Sequence, residues 1–280
     1  RRSFIAGAGG MWLCGAARAA PLAADPFALG VASGQPGPDS VILWTRLMAA
    51  GEPGEPLGAP IAVDWSIAED EAMQRVVGSG QALAEAEWAH SVHVEASGLR
   101  PGRPYWYRFT VRGVASPIGR TRTAPAGRDS LASLRFVFGS CQQYEQGYYA
   151  ALRHLAQEDA DLMIHLGDYI YELTGKPGLV RRRQGGWPTT VDDYRNLYTL
   201  YKSDRDLQTA HAAMPWIVTW DDHEVENDYM NDISPRERDP ARFLARRAAA
   251  YQAYWEHMPL PVSMQPKGPS MRMYRRHRFG

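Results

Sequence analysis

The sequence predicts a multi-domain protein in which an all-β domain is followed by an α/β domain. Between residues 25 and 125, stretches rich in β-branched and aromatic residues are separated by Gly- and Pro-rich turns. After a polar segment, short apolar strands alternate with helical patterns, which is typical of a sheet covered by helices. The 280 residues, 45% of them hydrophobic and 22% charged, are enough for two folded domains.

Residues 1–24 predict an export signal that precedes the folded domains. They begin with the pair Arg1-Arg2, continue as an apolar stretch with small residues, and offer Ala17-Arg18-Ala19-Ala20 for cleavage. We therefore expect transport by the twin-arginine export machinery and a periplasmic or secreted protein. A chance arginine pair before an amphipathic helix is the alternative interpretation.

Charge and hydropathy exclude two classes of partner. Residues 1–20 contain three arginines and no acid, so the rest of the chain has a net charge of about −3 and no basic footprint for nucleic acid. No stretch reaches the roughly 18 unbroken apolar residues of a membrane-spanning helix. We expect a monomer that acts on small molecules.

The first domain, residues 25–125, predicts a β-sandwich. The corner Leu99–Gly102 before Tyr105 resembles that of fibronectin- or immunoglobulin-type sandwiches. The polar segment Thr121–Ser130, with Pro125 and Gly127, is expected to link it to the second domain. The predicted strands are Val41–Arg46, Ile61–Ser66, His90–Glu95 and Tyr105–Val111.

The second domain, residues 131–280, predicts three buried strands and four helices. Apolar residues at helical spacing mark the last helix most strongly. The predicted strands are Leu134–Phe138, Leu162–Leu166 and Trp216–Trp220, and the helices are Gly147–Glu158, Val191–Tyr201, Leu207–Ala213 and Arg242–His257.

Polar side chains of the ligand type follow each of the three strands. Parallel neighbouring strands would bring these clusters to one edge of the sheet. The three clusters are Ser140-Cys141, Asp168 with Tyr171, and Asp221-Asp222-His223-Glu224 with Asn227.

This set of side chains indicates a metal centre for phosphoryl chemistry. Cys thiolate, Tyr phenolate and carboxylate together favour iron, whereas Asp and Asn oxygens suit calcium, magnesium or manganese. Asp168 could bridge two ions, and a two-metal site activates water and clamps a phosphoryl group. His223 would stabilise phosphoryl oxygens or protonate the leaving group.

Each of these residues also has a structural interpretation. Cys141 is the one cysteine after the export signal, so it is either buried or bound to a partner. Tyr171 fits a core aromatic, Asp221 or Asp222 a helix cap, and His223 a hydrogen-bonded supporting group. The run Arg181-Arg182-Arg183 fits a solvated loop or a collector of anionic substrate.

Three motifs resemble those of the alkaline phosphatase D (PhoD) family of phosphodiesterases and phosphatases. The resemblance extends from Phe27 to Gly280 and includes the stretch 250–259. The motifs are Phe138-Gly139-Ser140-Cys141-Gln142, Gly167-Asp168-Tyr169-Ile170-Tyr171-Glu172 and Trp220-Asp221-Asp222-His223-Glu224-Val225-Glu226-Asn227.

The resemblance implies a calcineurin-like metallophosphoesterase domain behind a fibronectin-like domain. It implies a ferric ion on Cys141, Asp168 and Tyr171, and calcium shared through Asp168. Asp222 matches the Asn of the Gly-Asn-His-Glu motif in related phosphoesterases, which implies that it is a metal ligand. Asn227 is a further candidate ligand.

His223 matches the catalytic His of the same motif. The family carries further ligands downstream, in a Gly-Asp-x-His type motif that this sequence lacks. The chain is therefore expected to be a fragment whose metallophosphoesterase domain is carboxy-terminally truncated.

The predicted function is an exported alkaline phosphatase or phosphodiesterase that hydrolyses phosphate esters with a metal-bound hydroxide at an Fe³⁺ and Ca²⁺ site, with Mg²⁺ or Mn²⁺ as the alternative divalent ion. A phospholipase D-like phosphodiesterase is the alternative within the same chemistry. A non-catalytic surface-binding protein with an inert second domain is the alternative of another class.

Overall fold

The computed structural model describes residues 21–50, 57–127, 131, 133–175 and 178–279. Most of the predicted export signal, residues 1–20, therefore lies outside the described residues. Within the described part, no helix is both long and apolar enough to cross a membrane.

The amino-terminal half of the chain forms antiparallel strands in two sheets. One contains β1 (Val31–Gly34), β2 (Ser40–Arg46) and β5 (Ser91–Ser97), in the order β5-β2-β1. The other has the order β4-β3-β6-β7, with β8 paired to β6; its strands are β3 (Ile61–Ala68), β4 (Val76–Ala84), β6 (Pro104–Val111), β7 (Val114–Ala115) and β8 (Gly119–Arg122).

Alternation of side chains along these strands builds the core between the two sheets. In β6, Tyr105, Tyr107 and Phe109 are buried while the residues between them are at least partly accessible. They pack in one cluster with buried residues of β2, β3 and β5. Each of the four strands predicted for this domain is confirmed, with boundaries that differ by at most two residues.

The carboxy-terminal half forms three parallel strands with helices packed on the sheet. The strands are β9 (Phe136–Gly139), β10 (Leu162–His165) and β11 (Trp216–Val218). The helices are α1 (Ala150–Leu155), α2 (Val191–Lys202), α3 (Arg205–Ala213) and α4 (Pro240–His257).

The long helices begin at sequence signals for a helix start. Thr190 and Asp193 form a reciprocal capping box at α2, and the Asp239 side chain accepts a hydrogen bond from the Ala241 N–H at α4. The helix predicted over Gly147–Glu158 is shorter than expected, because the backbone of Gly147 is extended and α1 starts only after Tyr149.

One sheet runs through both halves of the chain. Its order is β5-β2-β1-β11-β10-β9, with β1 parallel to β11 through the pair Gly34 and Trp216. A Cβ atom on Gly34 would overlap the backbone oxygens of Trp216 and Pro259, so this close approach requires glycine. The sequence predicted two consecutive domains and missed this pairing.

Polar and aromatic contacts fasten the junction of the two halves, which we call the seam. Trp44 Nε1 donates to the Glu256 carbonyl at 3.0 Å, and Arg46 Nη1 donates to Thr199 Oγ1 at 2.8 Å. The His93 ring stacks on Trp255 with 3.9 Å between centroids. The carboxyl end of α4 is thus held against β2 and β5.

The opposite end of this sheet is open to solvent. β9 is the edge strand, and its side chains Phe136 and Phe138 are exposed, as is Leu166 beyond β10. Apolar side chains on an open edge favour further association.

Candidate metal centre

The three predicted ligand clusters meet at the carboxyl edge of the parallel strands. Cys141 follows β9, Asp168 follows β10, and Asp222 and His223 follow β11. Since these strands are parallel neighbours in the order β11-β10-β9, the loops after them converge. Fold topology therefore places residues that are far apart in sequence at one site.

Short backbone contacts hold the loops together. The Cys141 N–H donates to the Gly167 carbonyl and the Gln142 N–H to the Asp168 carbonyl, both at 3.1 Å. Gly167 has a φ of +111°, and a Cβ atom there would overlap the backbone of Asp221. Glycine at this position lets the second loop approach the third.

Two of the ligand candidates have a left-handed backbone. The φ angles of Cys141 and Asp168 are +57° and +56°. This region is uncommon for residues other than glycine, and such strain persists where surrounding contacts hold it, often at functional sites. Both side chains are thereby directed by the backbone of their loops.

The first three ligand candidates form a cluster around one carboxylate. Asp168 Oδ2 accepts hydrogen bonds from Tyr171 OH at 3.0 Å and from Cys141 Sγ at 3.3 Å. Asp168 is buried, and its other oxygen, Oδ1, has no hydrogen-bond partner. Cys141 is exposed, so it is not a small core residue. Its thiol is held in this cluster by the hydrogen bond to Asp168.

The third loop completes the cluster. One ligand atom from each of Asp168, Asp222 and His223 lies within 4.8 Å of the others. Asp222 Oδ2 also accepts a hydrogen bond from the Asp228 N–H at 2.6 Å. The structure thus brings together five of the six residues predicted from the sequence.

Asn227, the sixth, lies on the same loop. Its N–H donates to Glu172 Oε1 at 2.7 Å, and its side-chain amide donates to Asp228 Oδ2 at 2.6 Å. These contacts fix the loop and do not test metal binding, so the assignment of Asn227 as a ligand stays a prediction.

Glu172 contacts two residues of the centre, although the sequence predicted no role for it. It is fully buried, its Oε2 lies 2.7 Å from His223 Nδ1, and its Oε1 accepts from the Asn227 N–H. The ring of Tyr171 packs on the ring of His223 with 4.1 Å between centroids. Both contacts restrict the imidazole to one orientation.

Glu224 connects two of the loops; the sequence placed it in the third ligand cluster but predicted no separate role for it. Its carboxylate accepts from the Tyr169 N–H at 2.6 Å and from the Asp221 N–H at 3.0 Å. Burial raises the pKa of Glu224 to about 7 despite these hydrogen bonds. Both glutamates lie within the motifs that resemble the PhoD family, and this position is the sequence signal that could have identified them.

The electrostatics of the centre favour a cation. Burial, and then the charges of Asp168 and Asp222, raise the pKa of Asp221. Burial, and then the Asp168 carboxylate, raise the pKa of Tyr171. In the part of the chain that the structure describes, no Lys or Arg forms an ion pair with Asp168, Asp221 or Asp222.

The charge of His223 responds to its carboxylate partner. Burial opposes its protonation, but the hydrogen bond and charge of Glu172, together with the charges of Asp168 and Asp222, outweigh burial and raise its pKa. With Nδ1 on Glu172, Nε2 is the ring nitrogen left to exchange a proton with a ligand.

The residues present fit a metal centre. A thiol, a phenol and a carboxylate converge, the Asp168 carboxylate has a buried oxygen without a partner, and further carboxylates lie nearby. Such a donor set can hold a transition metal on its thiolate side and a harder ion among the carboxylates.

Comparison with known proteins finds matches in the PhoD-like phosphatase family. A model for the PhoD-like phosphatase matches residues 136–280, and a model for the PhoD-like phosphatase N-terminal domain matches residues 14–125. Alkaline phosphatase D of Bacillus subtilis (strain 168) is 47% identical over 301 residues, which cover 100% of this chain and 51% of that protein.

The solved structure titled "Structure of PhoD" superposes with a TM-score of 0.86 at 50% identity. The match covers 89% of this chain and 49% of that one. The chain therefore spans about half the length of the relatives it matches.

Proposed function

The chain belongs to the PhoD-like phosphatase family, and we propose that it supplies the metal centre of an exported alkaline phosphatase or phosphodiesterase that hydrolyses phosphate esters. The observation that carries this proposal is the convergence of Cys141 and Tyr171 on Asp168, whose second oxygen is buried without a partner. Identity of 47% to an alkaline phosphatase D supports the same reaction class.

The proposed ligand sets follow from the donors of each loop. Cys141, Asp168 and Tyr171 would hold Fe³⁺, and Asp168, Asp222 and Asn227 would hold Ca²⁺, or Mg²⁺ or Mn²⁺ in its place. When bound, such ions supply an activated water and neutralise phosphoryl charge.

His223 is proposed to donate a proton to the leaving oxygen. Glu172 binds Nδ1 and favours the protonated ring, so Nε2 carries the proton that the departing alkoxide needs. Tyr171, packed on that ring, orients it. His223 is therefore the proposed catalytic residue.

The proposed architecture is a fibronectin-like domain followed by a calcineurin-like domain. The amino-terminal strands pair antiparallel in two sheets, and the Tyr105 hydroxyl accepts from the Arg100 N–H at 2.8 Å; both observations support the first assignment. Ligand loops at the ends of parallel strands support the second.

The visible absorption spectrum of the holoprotein tests the iron site. Thiolate or phenolate bound to ferric iron absorbs visible light, and we expect Cys141→Ser to shift or bleach the band and to abolish hydrolysis of p-nitrophenyl phosphate. A colourless protein without iron by elemental analysis would contradict the ferric assignment. A protein that does not hydrolyse the ester, and whose surface binding is unaffected by Cys141→Ser, would favour the binding-protein alternative.

Export is proposed from residues 1–24, and a periplasmic or secreted location follows from it. Fusion of these residues to a folded reporter should give export that depends on Arg1 and Arg2. Export of the reporter with both replaced by Lys would contradict it. A monomer is proposed as well, and light scattering of the purified protein tests it.

A further inference from the structure

A polar cavity lies beside the segment that follows Tyr171, and it takes no part in the chemistry described above. It has a volume of about 210 Å³, and its lining includes three consecutive arginines, Arg181, Arg182 and Arg183. One water occupies about 30 Å³ in the liquid, so the cavity has room for a small anion. We call it the arginine cavity.

The arginine cavity is connected to the centre by short paths. Thr174 lines it and follows Tyr171 by three residues, which limits their separation to about 11 Å. Arg183 Nη2 donates to the backbone carbonyl of Glu172, the residue that holds His223, at 2.9 Å. At least one residue of the cavity lining therefore lies within about 11 Å of a ligand candidate.

Arg181 is held rigidly but keeps an unused donor. Its side chain is only 9% exposed; Nε donates to the Tyr144 carbonyl at 2.8 Å, and Nη1 pairs with Asp204. Its guanidinium lies 3.7 Å from the centroid of the Tyr144 ring. Nη2 is buried and has no hydrogen-bond partner.

Arg183 has an unused donor as well. Its Nη2 donates to two backbone carbonyls, and its Nε is buried without a partner. Among the described residues, no carboxylate forms an ion pair with it. A buried donor left without an acceptor costs about 1–3 kcal/mol, so an acceptor in the cavity would stabilise this arrangement.

The acid in the cavity lining does not serve as that acceptor. The Glu145 carboxylate is buried and accepts from the backbone N–H groups of Gly175 and Arg183. Asp204 already pairs with Arg181 through Nη1. The cavity lining therefore contains more positive than negative groups, with donors left over.

We propose that the arginine cavity is an oxyanion subsite that takes a phosphate or carboxylate group. Guanidinium groups match these planar or tetrahedral oxyanions through several N–H donors. The group comes either from free phosphate or from a second anionic group on the substrate. The substrate source rests on the proposed function, whereas oxyanion binding does not.

Calorimetric titration with inorganic phosphate tests the subsite directly. After chelation of metal from the purified protein, we expect one phosphate to bind, and Arg183→Gln to weaken binding about 10–100-fold because one charged hydrogen-bond partner is lost. Arg183→Lys, which keeps the charge, should retain part of the affinity.

Arg242→Gln is the matched control, because it removes the same charge from a side chain that is 77% exposed on α4. It should bind phosphate like the unaltered protein. Absence of phosphate binding by the unaltered metal-free protein would overturn the proposal, whatever the folding of the variants. Equal weakening by Arg183→Gln and Arg242→Gln would overturn it too.

Steady-state kinetics of the metal-loaded protein identify the source of the anion. A rise in KM caused by Arg183→Gln for a bisphosphate ester, but not for p-nitrophenyl phosphate, assigns the subsite to a second substrate group. Unchanged KM for both, with the calorimetric loss retained, assigns it to free phosphate. Lack of hydrolysis by the unaltered protein would contradict the proposed function and leave the calorimetric result standing.

Discussion

At the seam, the buried carboxylate of Glu256 accepts hydrogen bonds from Nε and Nη2 of Arg195 and from the side-chain amide of Gln252. Both donor side chains also donate to the Glu87 carbonyl of the amino-terminal half. At the metal centre, Asp168 lies beside Asp221 and Asp222 with one oxygen unpartnered, on a left-handed backbone. The seam obtains its opposite charge from the chain itself, whereas the centre does not. The difference predicts that the seam contributes stability and that the carboxylates of the centre favour a bound cation.

The largest expected effect is on the seam. Glu256→Ala should lower the free energy of unfolding by about 3 kcal/mol, because it leaves the guanidinium of Arg195, which is 13% exposed, with only the 63% exposed Asp192 as a charged partner. Denaturant unfolding measures this change. Arg242→Ala, on the same helix but in an exposed pair, should change it by less than about 1 kcal/mol. Equal effects of the two substitutions would contradict a special contribution of the seam to stability.

At the centre, the same kind of change should affect activity and not stability. Asp168→Asn should reduce hydrolysis by more than about 100-fold, beyond the cost of losing a supporting group. In chelator its free energy of unfolding should not fall, because one of three neighbouring carboxylates is removed. Asp232→Asn, an exposed acid on the third loop, is the control. Marked destabilisation by Asp168→Asn would show that the centre is structural.

Lys202 lies between the two regions. Its Nζ is 4.3 Å from the centroid of Trp44 at the seam and 5.4 Å from that of Tyr169 beside Asp168. Burial lowers the pKa of Lys202 from 10.5 to about 7. Burial, and after it the positive charge of Lys202, lowers the pKa of His211; burial, and after it the charges of Arg46 and Lys202, lowers the pKa of His257.

This shift predicts a fold that gains stability as the pH rises. Between about pH 7 and 10.5 the unfolded chain keeps a proton on Lys202 that the folded chain has lost, so the free energy of unfolding increases with pH. The contribution is on the order of 2–3 kcal/mol from pH 6 to 9. Lys202→Met should flatten the dependence in denaturant unfolding, and the exposed Lys267→Met should not. Parallel curves for both variants would refute the assignment.

Local features of this fold could be predicted from the sequence, whereas its long-range contacts could not. Strands β2, β3, β5, β6, β9, β10 and β11 and the helices α1 to α4 were predicted because their apolar spacing is local, and the ligands were predicted because each follows a strand. The pairing of β1 with β11 was missed, since four residues of mixed polarity in β1 carry no periodic signal. Long-range pairing of that kind depends on the whole packed structure.

Glu172 and Glu224 were not assigned for a related reason. Their identity was visible in the motifs, but their roles depend on which atoms they meet after folding, and both reach partners about 50 residues away. β4 was missed because it contains two glycines and mostly accessible side chains. A linear pattern shows which residue types are present and leaves such contacts undefined.

Glu172 offers the finest test of the comparison, because it is buried like Glu256 but serves the centre. Glu172→Gln keeps the volume and one acceptor, and should reduce hydrolysis about 10–100-fold, as loss of a supporting group does. The loss should appear in kcat more than in KM, since the substitution misorients His223 and leaves the ligand atoms in place. Glu256→Gln, the matched change at the seam, should alter the free energy of unfolding and leave kcat unchanged. If both substitutions changed stability alone, Glu172 would have a structural role like that of Glu256, and it would not be the residue that orients His223 for catalysis.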